Sequence, residues 1–384
     1  MVMPVRNFLF PTASILALGM GAAQAAVTET PVSVVTTSGQ IVCNASASFV
    51  AVPGQPNMFV GRVLAIGSQT FCGAGNFTTQ PALGIFQMNW ATNQMVFQSY
   101  LIPGQSTING TYVRSSYDPS VMSYNGENWV AWECTPQISG IGHTSSCLAP
   151  LKDDLSGIDQ TRFSIPVLGD TGYNSSGQLV GINSASIPQL LNFGGTPYIY
   201  WAIDHNPSVK TASTLMPSRG AQLTLDLNGK LWVVGAGSNS ISTTDPNLAT
   251  TVRDVVPGDT TADYLSQVRI VYPAPDGQGL YSISNVGGTD GQVCMNPGSV
   301  SQGCWRAQIN YTTDPLAYNT FSNNPQPSTA IPINPTGYAR PLTLPTGQVV
   351  LFTQFSPPKT SWNVGWAPAV PSCNPCYIPF PALP

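Results

Sequence analysis

The sequence YDPSVMSYNGENWVAWEC, residues 117–134, predicts a β-hairpin with an acidic residue at each end. Residues 119–124 form a short extended run, and residues 129–132 form a second run rich in aromatic and β-branched side chains. Asn125-Gly126 between them is among the strongest short-range hairpin turn signals. Closing this hairpin brings Asp118 close to Glu133, and two carboxylates at one rim suit acid–base chemistry or the binding of polyhydroxyl ligands.

The composition favours a folded chain with few charges. Charged residues make up 8% of the 384 residues and hydrophobic residues 42%, with a formal net charge of −4. Typical soluble domains carry about 25% charged residues, so hydroxyl and amide groups solvate this surface. Because the chain has 13 Lys and Arg and no basic stripe, neither nucleic acid nor an anionic membrane surface is an expected partner. The hydrophobic content argues against disorder, so the abundant Gly and Pro predict turns.

The N-terminus has the features of a secretory signal. Arg6 precedes an apolar segment at about residues 8–20, and Ala23-Gln24-Ala25 has the small-x-small pattern of a signal-peptidase site. We therefore predict a signal peptide at residues 1–25 and a secreted protein, extracellular or periplasmic. No later segment reaches the roughly 18 apolar residues that a membrane-spanning helix needs, so no membrane span is predicted.

Residues 26–384 are expected to form a single β-propeller domain that acts as a monomer. A lead-in at about residues 26–58 lacks clear periodicity, and a Pro-rich tail occupies about residues 357–384. No cofactor is predicted. Calcium is compatible with an axis lined by acids and amides, but no loop has the spacing of a calcium site.

All eight cysteines lie beyond the signal, which indicates disulfides in an exported chain. Eight cysteines allow 105 pairings, and their order suggests four local ones: Cys43–Cys72, Cys134–Cys147, Cys294–Cys304 and Cys373–Cys376. The last pair forms a CxxC motif, but no second CxxC or histidine pair accompanies it, so a zinc site is disfavoured.

The hairpin of residues 117–134 recurs along the chain, and no convincing amphipathic helix pattern interrupts the short extended runs. This is an all-β signature, and recurrence at tens of residues indicates a propeller. The four further hairpins are Ser186–Gly195 with Tyr198–His205, Gly220–Leu227 with Lys230–Gly235, Gln267–Tyr272 with Gly279–Ser284, and Tyr338–Leu344 with Gln348–Phe355. Five hairpins predict five blades, although the short spacing of the second and third leaves four to six open.

Other segments are expected to supply outer strands. Cys147–Val167 holds one such pair, and Trp305–Leu316 holds another strand. The last hairpin is followed by too little chain to complete a four-stranded blade. Leu83–Trp90 and Gln94–Ile102 form a spare hairpin, which we expect to complete that blade and close the ring, since closure hides exposed sheet edges.

These residues resemble a known family. Asp118-Pro119-Ser120-Val121, followed by a turn and an aromatic strand, resembles the blade-opening motif of five-bladed propeller glycosidases of the arabinanase/xylosidase and invertase/levansucrase-like clans. Trp305–Leu316 resembles their recurrent outer strands, and Trp132-Glu133-Cys134 resembles the Glu-Cys motif of the invertase-like enzymes. That motif stands only fifteen residues after Asp118, much nearer than in those enzymes. The resemblance covers about residues 80–356 and implies a disulfide-stabilised five-bladed propeller that acts on glycans.

The resemblance implies three carboxylates on the inner strands of successive blades, yet the predicted inner strands open with only one acid, Asp118. The chain holds three glutamates. Glu29 lies in the lead-in and Glu127 follows the hairpin turn, where it is expected to be solvated. Glu133 is therefore the candidate general acid, and Asp118 the candidate base or nucleophile.

Further site residues follow from propeller geometry, which opens the start of each inner strand and the end of the next strand onto one face. Asp204 joins the two carboxylates as a candidate catalytic residue. The candidate substrate-binding residues are His143, His205, Arg219, Arg340 and Trp132. Structural roles remain open beside these: a turn for Asp118, a buried hydrogen-bond partner for Glu133, a surface loop for Asp204 and His205, a salt bridge for Arg340, and the core for Trp132.

Two functions follow. The first is an exported glycoside hydrolase acting on a polysaccharide or oligosaccharide. The second is a non-catalytic carbohydrate-binding or cell-surface interaction protein that kept the fold and lost the catalytic set, since a fold does not imply an activity.

Overall fold

The chain folds into antiparallel hairpins around turns of the Asn125-Gly126 kind. The computed structural model describes residues 30–43, 49–68, 80–138, 144–173, 176, 179–205, 218–243, 252–256, 264–273, 278–287, 305–316, 336–355 and 373–379. At Asn125 and Gly126 the backbone φ is 52° and 79°, the left-handed pair that a two-residue hairpin turn requires. The all-β prediction is confirmed, because one turn of 3₁₀ helix, Gln160–Arg162, is the sole helix in the described ranges.

The strands are numbered in chain order. The first eight are β1 Thr30–Pro31, β2 Ser33–Thr36, β3 Ile41–Cys43, β4 Phe49–Val52, β5 Gln55–Val63, β6 Ala65–Gly67, β7 Ala82–Asn89 and β8 Gln94–Ile102. The next ten are β9 Gln105–Ile108, β10 Thr111–Tyr124, β11 Glu127–Pro136, β12 Ser145–Pro150, β13 Ser164–Leu168, β14 Asp170–Tyr173, β15 Leu179–Phe193, β16 Thr196–His205, β17 Ser218–Leu225 and β18 Leu231–Val233. The last eight are β19 Ile241–Ser242, β20 Val252–Val256, β21 Tyr264–Pro273, β22 Leu280–Gly287, β23 Trp305–Thr312, β24 Thr336–Thr343, β25 Val349–Phe355 and β26 Cys373–Pro379.

Within the described ranges these strands form five sheets. The first has the order β4-β5-β7-β8-β2-β3-β6, the second β19-β13-β12-β11-β10-β9, and the third β14-β15-β16-β17-β18 with β20 beside β17. The fourth is β21-β22-β23, and the fifth is β1-β26-β25-β24.

The sheets pack face against face through apolar side chains. One core cluster joins the first and second sheets, another joins the second and third, and a smaller one joins the third and fourth. Strand β24 contacts β21, β22 and β23 of the fourth sheet. The fifth sheet in turn packs on the first, where the ring of Phe352 lies edge-on to that of Phe49 with centroids 6.0 Å apart.

One bulge recurs in the strands β10, β15 and β24. In β10 the pairing with β11 skips from Tyr117 to Ser120, and in β15 the pairing with β16 skips from Ser186 to Gln189. In β24 the corresponding skip runs from Gly337 to Arg340. In β10 and β15 one of the two unpaired residues is a proline, Pro119 or Pro188. Proline has no backbone N–H, so it cannot donate a hydrogen bond to the neighbouring strand.

Three predicted assignments change. Gly220–Leu227 with Lys230–Gly235 does form a hairpin, but β17 also pairs with β16. It is therefore an outer pair of the third sheet, since a turn signal marks inner and outer hairpins alike. The expectation that this hairpin opens a separate blade is wrong.

The supposed spare hairpin also has a sheet of its own. Strands β7 and β8 pair with each other as predicted, but β7 pairs on its other side with β5. The lead-in at residues 26–58 thus contains strands despite its lack of periodicity. The fifth sheet is extended instead by β26 and by the N-terminal β1, whose Thr30 lies opposite Tyr377.

Disulfide pairing is confirmed at Cys134–Cys147, which links β11 and β12. Cys43 is disulfide-bonded as well, while its predicted partner Cys72 lies outside the described residues, as do Cys294 and Cys304. The predicted signal peptide, residues 1–25, also lies outside them. No helix in the described ranges is long and apolar enough to cross a membrane.

Candidate active site

The bulge in β10 sets the position of Asp118. Asp118 and Pro119 fall between the paired residues Tyr117 and Ser120, so they leave the ladder. The φ of Asp118 is 51°, a left-handed conformation that aspartate tolerates better than most residues. Its side chain is withdrawn from solvent, with the residue 3% exposed, and a carboxylate this buried needs a partner.

Arg62 of the first sheet supplies that partner. Its Nη1 lies 3.9 Å from Oδ1 of Asp118, and its guanidinium stacks over the ring of Tyr117 at 5.0 Å from the centroid. Arg62 is itself buried. The ion pair and the cation–π contact therefore join β5 to β10 in a place with little water to screen them.

Glu133 lies across the ladder from Tyr117, near the end of β11. Its Oε2 accepts a hydrogen bond of 2.9 Å from the backbone N–H of Ile187, and the Tyr117 hydroxyl donates to the same carboxyl group. Ile187 occupies the bulge of β15 with a φ of 51°, which is a strained value for a β-branched residue. Glu133 thus stabilises the bulge of the neighbouring sheet, which is the buried hydrogen-bonding role left open for it.

The two carboxyl groups share one electrostatic environment. Burial and, next, the charge of Asp118 raise the pKa of Glu133 from 4.5 to about 8. Burial and the charge of Glu133 raise the pKa of Tyr117 well above its usual 10, against the hydrogen bond from Thr144. At neutral pH the cluster therefore holds a protonated Glu133 and a neutral Tyr117 beside the ion pair. The strand register places Glu133 opposite Tyr117, the residue directly before Asp118.

The other predicted site residues are distributed as follows. Arg340 is buried on β24, directly after its bulge and opposite Phe352. Asp204 and His205 end β16 opposite Ser184 and Asn183, and their side chains lie outside what the structure describes. His143 lies outside the described residues altogether.

Arg219 and Trp132 have structural surroundings. Arg219 sits on β17, two strands from β15, and its Nη1 donates a 2.9 Å hydrogen bond to the carbonyl of Thr243. Trp132 is fully buried, with its ring 5.9 Å from that of Phe163. Its ring packs within the apolar cluster that joins the first and second sheets, so Trp132 belongs to the core.

Glu127 also differs from expectation. It is partly exposed but ion-paired, because both guanidinium nitrogens of Arg162 reach its carboxylate at 2.6 and 2.7 Å. The same arginine binds Asp159 at 2.8 Å and stacks over Trp129. The hydrogen bonds from Arg162 lower the pKa of Glu127. The pKa values of the two glutamates of this hairpin are therefore shifted in opposite directions.

Sequence reasoning did not find Arg62 and Tyr117. Arg62 lies in the lead-in sheet that lacked a recognisable pattern, and Tyr117 adjoins a predicted site residue without a motif of its own. The scarcity of cations, 13 Lys and Arg in 384 residues, was the available signal, because an arginine between apolar residues in so uncharged a chain is unexpected. The part of the chain that the structure describes contains no group of three or more His, Cys, Asp or Glu suited to a metal ion.

Comparisons with known proteins give only distant likenesses. No protein-family model and no curated protein matches the chain. Among solved structures, an α-L-arabinofuranosidase from Lactobacillus brevis is 9% identical with a TM-score of 0.47, covering 88% of this chain and 91% of its own. An endo-arabinase from Bacteroides thetaiotaomicron is 12% identical at 0.45, covering 91% and 98%. A thermostable family-43 glycoside hydrolase is 13% identical at 0.42, covering 79% and 81%. Because these TM-scores lie below 0.5, they decide neither fold nor activity.

Proposed function

We propose that this chain is an exported five-bladed β-propeller that binds a glycan at its central axis and hydrolyses it. The five sheets serve as the blades, with β5, β10, β15, β21 and β24 innermost. Contacts between successive members of this series, and the core shared by the first and fifth sheets, support a closed ring. In such a ring β1 and β26 complete the last blade. Residues 26–384 then form one domain.

The observation that carries the catalytic proposal is a buried carboxyl group of raised pKa, Glu133, beside a carboxylate that pairs with an arginine, Asp118. A general acid must hold its proton at the working pH, and its partner must be ionised. The raised pKa of Glu133, about 8, keeps that group protonated at neutral pH. Asp118 has an arginine at 3.9 Å to balance its charge.

In the proposed reaction Glu133 donates its proton to the glycosidic oxygen as the bond to the leaving sugar breaks. Asp118 acts on the opposite side of the sugar, either as a base that activates water or as a nucleophile. The separation of the carboxyl groups when the sugar is bound sets the outcome, about 5 Å for retention and about 6.5–9.5 Å for inversion. Asp204, His205, His143 and Arg340 are proposed to position sugar hydroxyls.

The test compares three variants on a panel of neutral and acidic polysaccharides. Asp118→Asn and Glu133→Gln each remove one proposed catalytic group, and we expect each to reduce turnover at least about 100-fold. Glu127→Gln is the matched control, because Glu127 lies on the same hairpin but binds Arg162. Unchanged turnover in Asp118→Asn or Glu133→Gln removes that residue from the mechanism.

A specific observation favours a second function, carbohydrate binding without hydrolysis. At the bulge position of Asp118 the third and fifth sheets carry Ile187 and Tyr338. Opposite the residue before the bulge, where Glu133 stands, they carry Ala202 and Gln354. At these two positions acids therefore occur in only one of the three sheets. Under this hypothesis polysaccharides bind with no product released, and Asp118→Asn weakens binding.

Export is supported by the Cys134–Cys147 disulfide together with the N-terminal segment. Both cysteines are fully buried in the second sheet, and stable disulfides are typical of extracellular and periplasmic proteins. Mass spectrometry of the protein recovered from a producing cell tests this proposal. A mature N-terminus near residue 26 is expected, and an intact Met1 in the soluble cell fraction contradicts it.

A further inference from the structure

A row of four aromatic rings runs from the core of the first sheet to its surface at Tyr100. The rings of Phe49 and Phe86 lie edge-on with centroids 5.0 Å apart. Phe97 follows at 5.5 Å from Phe86, and Tyr100 at 5.0 Å from Phe97. The first two rings are buried, whereas Tyr100 is 49% exposed. On the strands whose side chains the structure describes, no other large apolar side chain is exposed.

A bulge in β8 places Tyr100 on the same face as this aromatic row. The pairing of β8 with β7 joins Phe97 to Phe86 and Tyr100 to Gly84, with Gln98 as an extra residue between the two pairs. In an unbroken strand, residues three apart point to opposite faces, but one extra residue returns them to the same face. A Cβ at Gly84 would lie 2.7 Å from a ring carbon of Phe97. The glycine therefore leaves room for the ring that supports Tyr100.

Hydroxyl and amide groups lie beside the exposed end of the row. Thr36 stands opposite Phe97 in the parallel pairing of β2 with β8. Its hydroxyl accepts a 3.1 Å hydrogen bond from the backbone N–H of Gln40 and shares a 2.9 Å bond with the hydroxyl of Ser38. Gln98, two residues before the exposed tyrosine, is itself exposed. These groups offer hydrogen-bond donors and acceptors that carry no charge.

The sequence around Tyr100 is almost free of charged residues. Residues 30–113, which include all seven strands of the first sheet, contain one charged residue, Arg62. That arginine is buried and pairs with Asp118. Nucleic acids, anionic membranes and strongly charged proteins are attracted to surfaces of opposite charge. An uncharged surface of hydroxyls, amides and one aromatic ring instead matches an uncharged polyhydroxyl ligand.

We propose that Tyr100 forms a surface site that binds a neutral polysaccharide. The face of its ring is electronegative and attracts the C–H groups that cover one face of a sugar, while Thr36 and Gln98 bind sugar hydroxyls. Because Phe97 already holds the ring, binding costs little conformational freedom. Strand β7 separates β8 from β5, which carries Arg62. The site is therefore distinct from the Asp118–Glu133 pair and does not depend on hydrolysis there.

The competing occupant is a second copy of this chain. Strand β2 pairs with β8 only at residues 94–97, and beyond them no other described strand is the neighbour of β8 on that side. Such an edge is able to pair with another chain. A shared edge would bury Tyr100 in a dimer, and the experiment below includes this outcome.

The experiment measures binding of the full-length protein by affinity electrophoresis in gels that contain one polysaccharide each. The neutral probes are xylan, arabinan, galactan and mixed-linkage glucan, and polygalacturonate is the acidic probe. We expect Tyr100→Ala to raise the Kd for at least one neutral polysaccharide about fivefold or more. Tyr100→Phe keeps the ring and should bind that polysaccharide within about twofold of the wild type.

Leu227→Ala is the matched control, because Leu227 is also a fully exposed apolar side chain but lies on a turn of the third sheet. It should bind every probe as the wild type does. Replacing an exposed side chain seldom changes stability by more than about 0.5 kcal/mol, and urea unfolding checks that each variant is folded.

Three results would overturn the proposal. The first is unchanged binding of every neutral polysaccharide by Tyr100→Ala, or no binding by the wild type. The second is tighter binding of polygalacturonate than of any neutral probe. The third is a dimer in sedimentation velocity that Tyr100→Ala dissociates while polysaccharide binding stays the same, which would assign the surface to a second copy of the chain.

The proposed hydrolysis can fail independently of this site. Polysaccharide binding that depends on Tyr100, without any product released, removes the catalytic proposal and leaves the surface site. Hydrolysis that depends on Asp118 but not on Tyr100 for any polymer removes the surface site and leaves the catalytic proposal. If both hold, Tyr100→Ala should raise the KM for a polymer and leave the kcat for a short oligosaccharide unchanged.

Discussion

Replacing Glu133 by Gln should remove a fall in the stability of this protein that occurs as the pH rises. The pKa of Glu133 is about 8 in the folded protein, against 4.5 for an exposed glutamate, because burial and the charge of Asp118 oppose its ionisation. The folded state therefore binds more protons than the unfolded state between these values. The stability that the protonated group retains is fully present below pH 4.5 and is lost as the pH rises through 8.

The size of the effect follows from the same shift. A rise from 4.5 to about 8, at about 1.4 kcal/mol per pH unit, sets an upper limit of about 5 kcal/mol. Glu133→Gln cannot ionise, and its amide oxygen can still accept the Ile187 N–H. The variant should therefore lack this contribution to the pH dependence and should be more stable than the wild type at pH 9.

The assay is equilibrium urea unfolding at half-unit steps from pH 5 to 9, with the disulfides kept oxidised. Glu127→Gln is the matched control, since the ion pair with Arg162 lowers the pKa of Glu127 and the stability this adds is fully present above pH 4.5, hence constant over the assayed range. That partly exposed pair is worth less than about 1 kcal/mol. A wild-type curve without a Glu133-dependent fall from pH 5 to 8, or a Glu133→Gln variant that is less stable at pH 9, would refute the reasoning.

Three further predictions concern packing, turns and the disulfide. Gly61→Ala should lower the free energy of unfolding in urea by about 1–3 kcal/mol, because the added Cβ would lie 2.2 and 2.4 Å from two ring carbons of Phe49. Gly157→Ala is the control, and it should cost far less because open space surrounds Gly157. Equal costs would contradict the packing of the first sheet. Asn125→Ala should cost about 1 kcal/mol or more, since its φ of 52° is left-handed; an unfolding midpoint matching the wild type would argue against this turn. Replacing Cys134 and Cys147 together by Ala should cost about 3 kcal/mol, because their bond spans a sequence separation of 13; reductant should then have a smaller effect on the variant than on the wild type.

The hairpin at residues 117–134 could be predicted because its signals are local. Asn125-Gly126 determines the turn, and the turn determines the register that brings Glu133 opposite Tyr117. Once two strands pair around a known turn, the neighbours of each side chain follow by counting. The turn at Asn228-Gly229 is local in the same way: the side chain of Asp226 accepts hydrogen bonds from the backbone N–H groups of Asn228 and Lys230.

What could not be predicted depends on contacts between sheets. The hairpin of β17 and β18 has a clear Asn-Gly signal, yet nothing local distinguishes an outer pair from an inner one. Strand β5 lacks a turn signal of that strength, so neither the strand nor the role of Arg62 on it was predicted. The prediction of five units counted the outer pair of β17 and β18 as a unit and overlooked the first sheet. The five observed sheets therefore match it in number but do not confirm the individual assignments.

The candidate site likewise has a part that follows from one hairpin and a part that depends on contacts between sheets. Asp118 and Glu133 belong to one hairpin, and their proximity was evident from its ends. The raised pKa of Glu133 depends on burial, which arises only when the second sheet packs between its neighbours. Arg62 and Ile187 reach the pair from the first and third sheets, some 55 residues away on either side in sequence. No local pattern could have associated them.

The most direct test of the central claim, that a glycan binds at the Asp118–Glu133 pair, is the ¹³C titration of the Glu133 carboxyl group in the wild-type protein with and without each panel polysaccharide. We predict a midpoint near 8 in the free protein. A glycan bound at the pair changes the hydrogen bonds to these carboxyl groups and should move the midpoint by about half a pH unit or more. A free-protein midpoint near 4.5, or a midpoint that no polysaccharide moves, would contradict the account.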